Sequence, residues 1–201
     1  MILGDTYYPD STLQAAGFRR LGHDVKVHAR ASIYGTENIS LGDNVRIDDF
    51  AIIIATGKVE IGAHVSIPNF CFLGGRNGII LEDFVTLAPG VKIFTASDDY
   101  FGDKMTGPTL PPEFTGGKSG PVVVRRHSIV GAGSVILPGC TLGEGCAVGA
   151  LSLVVRDLEP WSVCAGIPAR RMKERRRNLL RMEALWLERR TARVRMDAEY
   201  Q

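Results

Sequence analysis

Aliphatic residues recur every six positions along most of the chain. The downstream run is unbroken and consists of Val124, Val130, Ile136, Leu142, Val148 and Val154. Upstream, three triplets start twenty residues apart, namely Leu41, Ile47 and Ile53, then Ile61, Ile67 and Leu73, then Leu81, Leu87 and Ile93. A helix buries residues three or four apart and a half-buried strand every second residue, so neither element alone gives this period. The pattern therefore predicts a repeat architecture.

A second inward position, two residues before each aliphatic one, indicates that every hexad is a short strand. These positions hold mostly small residues, among them Val45, Ala51, Val85, Ser134 and Cys146. Turn-forming pairs such as Gly42-Asp43 and Pro138-Gly139 separate the strands. We therefore predict an all-β, three-sided solenoid whose strands stack in parallel from coil to coil around one continuous apolar core.

The flanks of the repeat predict a single domain with three parts. We divide the chain into residues 1–29, an N-terminal helical cap, residues 30–168, the solenoid, and residues 169–201, a basic C-terminal helix. Within the cap, residues 11–20 are predicted to form a short helix that is capped by Asp10 or Ser11 and ends near Gly22. This helix would cover the open N-terminal end of the solenoid.

Two further segments depart from the hexad pattern. Residues 98–121 contain four Pro and five Gly, which predicts a protruding loop where a binding site is expected. Residues 169–196 have helical spacing, with one apolar stripe formed by Met172, Leu179, Met182 and Trp186. The same segment carries eleven Lys or Arg against three Glu, so a basic tail follows a moderately acidic body.

Composition narrows the functional classes. With 24 basic and 22 acidic residues the formal net charge is +2, which disfavours nucleic acid as a partner. No apolar run approaches the ~18 residues of a membrane span, and the first residues lack a signal-peptide pattern, so we expect a cytoplasmic protein without membrane insertion. The four cysteines form no CxxC or Cys/His cluster, which favours thiols packed in the core over zinc ligands or disulfides.

Residues 30–173 resemble the left-handed parallel β-helix of the hexapeptide-repeat acyltransferases. The stretch from residue 127 to 173, which ends in AGIPARRMK, is similar to the end of galactoside, maltose, serine and xenobiotic acetyltransferases. The earlier stretches LQAAGFRRLG and LGDNVRIDDFAII resemble acetyltransferases of surface-polysaccharide biosynthesis. The resemblance implies acetyl-CoA as co-substrate, no metal, a sugar or sugar-nucleotide acceptor, and a homotrimer with its sites between subunits.

The resemblance also implies where coenzyme A lies. Its pantetheine arm would run past the small residues Ala132 and Ala150. Val155 and Arg156 occupy the place of a Thr-Lys pair that contacts the cofactor in galactoside enzymes, so the basic partner persists and the hydroxyl is lost.

The motif AGIPAR would meet the nucleotide end of the cofactor. Ala165 and Pro168 correspond to the loop beside the nucleotide, and Arg170 and Lys173 match basic residues that meet the ribose phosphate. Arg171 is adjacent and would share that role, which suits charges at an exposed helix start.

The proton-transfer group departs from the family pattern. Sugar O-acetyltransferases of this family place a His in the loop, and Asp98 stands there in this chain, followed by Asp99 and Tyr100. We take the two carboxylates as the catalytic candidates and Tyr100 as a substrate-binding residue. Mutual repulsion would raise the pKa of one carboxyl if the pair were desolvated; alternatively, both would orient sugar hydroxyls. His64 and His127 are predicted to be surface turn residues.

These features favour an acetyl-CoA-dependent acetyltransferase that acts on a sugar hydroxyl. An amino sugar nucleotide is the alternative acceptor, because a neutral amine attacks without a strong base. A non-catalytic trimeric scaffold is the alternative of another class, suggested by the missing His and opposed by the intact AGIPAR end. The related zinc carbonic anhydrases need three His ligands, which the spacing of the histidines does not supply.

Overall fold

The computed structural model describes residues 6–199, with side chains to residue 190. Its helices are α1 (Asp10–Ala15), a single 3-10 turn (Thr36–Asn38) and α2 (Asn178–Glu199). In chain order the strands are β1 (Arg20–Leu21), β2 (Lys26–Val27), β3 (Ser32–Tyr34), β4 (Ile39–Leu41), β5 (Arg46–Ile47), β6 (Ile52–Ile54), β7 (Val59–Ile61), β8 (Ser66–Ile67), β9 (Phe72–Gly74), β10 (Ile79–Leu81), β11 (Thr86–Leu87), β12 (Lys92–Phe94), β13 (Val122–Val124), β14 (Ile129–Val130), β15 (Val135–Ile136), β16 (Thr141–Leu142), β17 (Ala147–Val148), β18 (Leu153–Val154), β19 (Ser162–Ala165) and β20 (Arg170–Glu174).

The strands form three sheets, parallel except at β20, that are the three faces of a β-helix. The first face has the order β1-β4-β7-β10-β13-β16, the second β2-β5-β8-β11-β14-β17-β19-β20, and the third β3-β6-β9-β12-β15-β18. We call the turns between the first and second faces the first corner, those between the second and third faces the second corner, and those between the third and first faces the third corner. The predicted three-sided solenoid is confirmed.

The hexad aliphatics fill the interior. Leu41 pairs in register with Ile61, and Leu81 with Val124, so equivalent residues stack directly from coil to coil. All four are 3% exposed or less. Burying one such side chain stabilises the fold by roughly 1.5–3 kcal/mol, so the stacked ladders account for much of the solenoid's stability.

The cysteines belong to this interior as well. All four are free thiols and buried. Burial raises the pKa of the Cys71 and Cys146 thiols to about 11, which keeps them protonated and unreactive at neutral pH. The packing role predicted for the cysteines is consistent with this environment.

The N-terminal cap is shorter than predicted. Helix α1 ends at Ala15, and neither Asp10 nor Ser11 caps it, because Pro9 holds the N-cap position without a side-chain hydrogen bond. Gly17 then adopts a φ of +74°, a left-handed conformation that ends helices. Leu13 is 3% exposed and lies in the hydrophobic core, as expected of a helix that covers the end of the solenoid.

The basic tail begins as a strand, and the prediction of a helix from residue 169 is wrong there. After the turn at Gly166 the chain reverses, and β20 pairs antiparallel with β19 at the edge of the second face. Backbone pairing with this open edge outweighs the helical preference of the segment. Met172 consequently leaves the predicted apolar stripe and is 70% exposed. Helix α2 starts only at Asn178.

The predicted protruding loop is present at the third corner. Strand β12 ends at Phe94 and β13 begins at Val122, and the residues between them form turns and isolated bridges instead of strands. We call residues 95–121 the protruding loop. No helix within residues 6–199 combines the length and apolar character that crossing a membrane requires.

Candidate active site

The predicted site residues lie on two different corners of the β-helix. Asp98 belongs to the protruding loop on the third corner. Ala132 and Ala150 follow β14 and β17, which places them on the second corner. The whole third face separates the two corners, so a single chain does not bring the loop and the predicted pantetheine track together.

Buried hydrogen bonds fix the base of the loop. Thr95 is fully buried, and its hydroxyl donates to the Gly74 carbonyl at 2.7 Å. The side-chain amide of Asn77 donates to the Thr95 carbonyl at 2.8 Å. The backbone N–H of Ser97 donates to the Lys118 carbonyl, also at 2.8 Å, so the two ends of the loop are joined directly before Asp98.

A cavity of about 570 Å³ lies under the loop. Asp98 lines it together with Arg76, Asn77 and Lys118, and loop residues such as Pro112 close its far side. Asp98 itself is exposed. The cavity thus presents one carboxylate beside two cationic side chains, a suitable lining for a polar, hydroxylated ligand.

Asp99 has a structural environment. Its Oδ1 accepts a hydrogen bond from the Phe101 N–H at 2.9 Å, and its Oδ2 accepts one from the Lys104 N–H at 2.8 Å. These backbone donors, that of Phe101 first, lower the pKa of the Asp99 carboxyl, opposite to the direction that a general base requires. Asp99 therefore holds the turn of the loop, and Asp98 is left as the chemical candidate. Tyr100 beside it is 89% exposed.

The second corner is narrow and tightly stacked where the pantetheine arm is predicted. Ala132 and Ala150 are both exposed, and the Leu151 N–H donates to the Ala132 carbonyl at 2.8 Å. A Cβ added to Gly131 would lie 2.4 Å from the Ala150 nitrogen, so only glycine permits this close stacking of coils. The result is a strip of small residues along the helix axis, which ends at the exposed side chain of Leu151.

The basic residues assigned to the nucleotide gather at the last coil. Arg156, Arg170 and Arg171 line one cavity of about 350 Å³, and Arg171 Nη1 lies 3.6 Å from Glu159 Oε2. Lys173 lies farther along β20, the strand of Arg170 and Arg171, and pairs with Val163 of β19.

The prediction that these basic residues lie at the start of a helix is therefore wrong, because strand β20 carries Arg170, Arg171 and Lys173. Of the other three predicted contacts, Val155 is half-buried. Pro168 follows a cis peptide bond in the turn that precedes β20, with Ala165 ending β19 before it.

The two turn histidines occupy the first corner beneath α2. His127 is buried, not a surface residue as predicted, and its Nε2 lies 2.8 Å from Glu183 Oε2. Arg126 also binds Glu183. His64 stacks on Phe84 with ring centroids 4.9 Å apart, and its pKa is lowered, chiefly by burial. These contacts hold the helix against the body and leave both rings away from the protruding loop.

The sequence analysis missed a third set of residues at the second corner. Phe50 and Phe70 are exposed, and their rings stack in parallel at 5.4 Å. The sequence does carry a signal for these two residues, because both occupy the turn position that Gly90 and Gly133 occupy in later coils. Arg76 and Lys118 of the loop cavity were missed too, because no spacing rule links turn residues 42 positions apart.

Known proteins place the chain in a family. The hexad solenoid with its protruding loop and its AGIPAR end defines a hexapeptide-repeat acyltransferase. The chain belongs to the sugar acyltransferases of this family, and it is an enzyme that uses acyl-CoA as its acyl donor. This membership excludes the scaffold alternative. No protein-family model matches the chain.

Two relatives match nearly the whole chain. The dTDP-4-amino-4,6-dideoxy-D-glucose acyltransferase of Escherichia coli is 38% identical over 181 residues, which are 90% of this chain and 94% of that protein. AntD, an N-acyltransferase from Bacillus cereus solved in complex with dTDP and 3-hydroxybutyryl-CoA, is 38% identical with a TM-score of 0.89, covering 92% of this chain and 98% of that one.

Relatives named as O-acetyltransferases match less of the chain or at lower identity. The putative lipopolysaccharide biosynthesis O-acetyl transferase WbbJ of Escherichia coli K12 is 35% identical over 72 residues, 36% of this chain and 37% of that protein. A maltose O-acetyltransferase from Clostridium difficile is 25% identical with a TM-score of 0.58, covering 88% of this chain and 80% of that one. Among residues 6–199 no group of three or more His, Cys, Asp or Glu could hold a metal ion.

Proposed function

We propose that the enzyme transfers an acyl group from acyl-CoA to the amine of a nucleotide-linked amino sugar. The observation that carries this proposal is the similarity to N-acyltransferases over nine-tenths of the chain. The relatives named for hydroxyl acylation share only a third of the chain or have lower identity. The amine, the alternative in the sequence analysis, therefore replaces the hydroxyl as the preferred acceptor.

The loop chemistry supports an amine. Asp98 is exposed on the protruding loop, and an exposed carboxylate is a weak base toward a hydroxyl. A neutral amine attacks the thioester carbonyl directly: the C–N bond forms, the C–S bond breaks, the nitrogen loses one proton and the departing thiolate takes one up. Asp98 then has the lesser task of accepting a hydrogen bond from the amine and orienting it.

A homotrimer would complete the site. The third face exposes apolar side chains outward, including Ile52, Ile54, Phe72 and Phe94, with the rings of Phe72 and Phe94 5.2 Å apart. Covering this face with a second copy would bring the third corner of one protomer beside the second corner of the next. The loop of one subunit would thereby reach the coenzyme A strip of its neighbour. Sedimentation equilibrium tests this assembly, and a stable, active monomer contradicts it.

Coenzyme A would lie along the second corner of the C-terminal coils. The small residues Ala132 and Ala150 leave room for the pantetheine arm, and the cluster of Arg156, Arg170 and Arg171 lies at the end where the phosphates belong. Surface-polysaccharide assembly in the cytoplasm is the setting we propose. The similarity to WbbJ supports a role in surface-polysaccharide assembly, and four free thiols fit the reducing cytoplasm.

A pair of acceptors tests the reaction. The enzyme is incubated with acetyl-CoA and either dTDP-4-amino-4,6-dideoxyglucose or the matched sugar nucleotide with a hydroxyl at that carbon. We expect thiol release and a product heavier by one acetyl group only with the amine. Equal or faster acetylation of the hydroxyl analogue would reinstate the O-acetyltransferase, and inactivity toward both would reject a nucleotide-linked acceptor of this type.

A further inference from the structure

The early coils of the second corner carry two phenylalanines in an unfavourable backbone conformation. Phe50 has a φ of +56° and Phe70 a φ of +61°, both in the left-handed region. Bulky L-residues rarely adopt it, because Cβ approaches the neighbouring carbonyl. Gly90 and Gly133 relieve this strain in the next two coils, and Leu151, with a φ of +53°, takes the same register in the last one. A side chain retained at such a position points to a use for its ring.

Both rings face solvent. Phe50 is 45% exposed and Phe70 57%, and their planes differ by only 6°. The two rings are stacked on each other, so Phe50 covers one face of Phe70 and the opposite face of Phe70 is a flat apolar surface. Exposed aromatic surfaces of this kind are typical of sites that bind planar rings.

Two other aromatic residues with positive φ are covered by the chain, in contrast to Phe70. Phe84 and Trp161 lie on the first corner, and the chain itself covers both. Trp186 of α2 meets Phe84 edge-on at 5.9 Å, and the Arg177 guanidinium lies 5.2 Å from the centre of the Trp161 ring. The Phe50 ring lies between Phe70 and the Arg30 guanidinium, whereas Phe70 has no second ring or guanidinium on its other face within residues 6–190, so that face is open to an external ligand.

Polar groups border this surface. The guanidinium of Arg30 lies 4.8 Å from the centre of the Phe50 ring and pairs with Asp49 Oδ2 at 2.8 Å. Asn69 lies beside Phe70 in the same turn. Its backbone carbonyl accepts a hydrogen bond from the Gly90 N–H, and its side chain carries the amide that borders the ring. Arg30 thus closes the far face of Phe50, and the open ring of Phe70 with an amide beside it suits a nucleobase.

The position along the corner agrees with this assignment. Stacked strands are ~4.8 Å apart, so Phe70 is about 10 Å, or two coils, from Ala132. Coenzyme A would occupy the coils from Ala132 onward. Asp98 follows β12, which belongs to the coil of Gly90, so the reacting atoms would lie at that level. The remainder of the acceptor can then extend only over the earlier coils.

We propose that the nucleobase of the acceptor stacks on Phe70, with Phe50 supporting that ring from behind, so that the two rings form one platform. This inference rests on the proposed function, because it assumes a nucleotide-linked sugar. It adds residues that fix the acceptor by its nucleotide instead of by its sugar.

The test replaces each ring with asparagine, a non-glycine residue that tolerates this backbone. Phe70→Asn removes the ring while keeping a conformation that Asn adopts readily. The matched control is Phe84→Asn, the same change at a covered aromatic residue with a φ of +59°. Titration calorimetry with dTDP, the Michaelis constants for both substrates, the melting temperature and the sedimentation mass are measured for each variant.

We expect Phe70→Asn to weaken dTDP binding and raise the acceptor Michaelis constant by roughly 10-fold or more. The Michaelis constant for acetyl-CoA and the assembly should not change, and the melting temperature should stay level or rise. Phe84→Asn should instead lower the melting temperature and leave dTDP affinity as it was.

Two results would overturn the platform: unchanged dTDP affinity in the Phe70 and Phe50 variants, or loss of the oligomer, which would make the rings a subunit contact. Failure of the proposed function is distinguishable, since it is read from the wild-type enzyme, which would then acylate no nucleotide-linked amine. An enzyme that acylates the amine while Phe70→Asn has no effect rejects the platform alone.

Discussion

The second corner carries two different surfaces on one repeated backbone. In the later coils Ala132 and Ala150 are exposed and Gly133 has a positive φ, and the exposed Leu151 ends this run of small residues in the last coil. In the earlier coils the positive-φ register holds Phe50 and Phe70. The coil geometry is the same in both halves. Side-chain size in a single register therefore decides whether the corner presents a smooth strip for an extended chain or a flat aromatic surface for a ring.

The energetic terms of the two halves also differ. A non-glycine residue in the left-handed region is strained by of order 1–3 kcal/mol, and one base stacked on an aromatic side chain contributes about 1–3 kcal/mol. The aromatic half thus has strain in the free enzyme that ligand binding can offset. Gly90 and Gly133 have no such strain, and their contribution is steric, since they let a ligand approach the backbone closely. Leu151, with a φ of +53°, is the exception in the last coil.

The largest expected effect comes from filling the smooth half. Ala132→Trp places a large ring on the strip proposed for the pantetheine arm. We expect kcat/KM for acetyl-CoA to fall by about 100-fold or more, which corresponds to roughly 2.7 kcal/mol. Steady-state kinetics measures it, and Ala132→Ser serves as the small-residue control. Wild-type kinetics in the Trp variant would place the cofactor elsewhere.

A smaller effect is expected at the end of the same strip. Arg170→Glu combined with Lys173→Glu reverses two charges on β20, and coenzyme A should bind about 10- to 30-fold more weakly. Dephospho-coenzyme A should lose much less, because both charges are assigned to the ribose phosphate. Calorimetry with the two ligands is the direct comparison. Equal losses for both would remove the phosphate assignment.

The smallest of these effects concerns the protruding loop, which in the proposed trimer faces the corner of a neighbouring subunit. For an amine acceptor, Asp98→Asn should raise the acceptor Michaelis constant by about 10-fold with a modest change in kcat, because orientation is lost and not proton removal. A turnover loss of roughly 100-fold would instead identify Asp98 as a general base for a hydroxyl. Asp99→Asn is the neighbouring control, and it should act through loop order, which limited proteolysis detects.

Much of the fold followed from the sequence because its information is local and periodic. The triplet Leu41, Ile47 and Ile53 places one buried residue on each of the three faces, and the following coils repeat this spacing. The errors occurred where tertiary pairing overrides local preference. Residues 170–174 have helical composition, yet the open edge of β19 offers them backbone partners. His127 resembles an exposed turn residue until α2 folds back and Glu183 meets it.

The candidate site was harder to predict from the sequence, because it too depends on tertiary structure. Motif similarity located the small residues Ala132 and Ala150, but it could not show that they and Asp98 lie on different corners. The platform of Phe50 and Phe70 gave no motif at all. Its signal is a backbone angle, which becomes visible only when the register is compared between coils.

Mixed oligomers test most directly the central claim that one subunit supplies the loop and its neighbour the cofactor strip. A loop-deficient variant, Asp98→Ala with the cavity residue Lys118→Ala, and the strip variant Ala132→Trp are each purified, then unfolded and refolded together. We predict that each variant alone has little activity at a low acceptor concentration, and that the mixture recovers a substantial fraction of wild-type activity, because mixed trimers contain interfaces with an intact loop and an intact strip. Activity in the mixture no greater than the mean of the two variants, with mixed oligomers demonstrated by mass, would contradict the shared site.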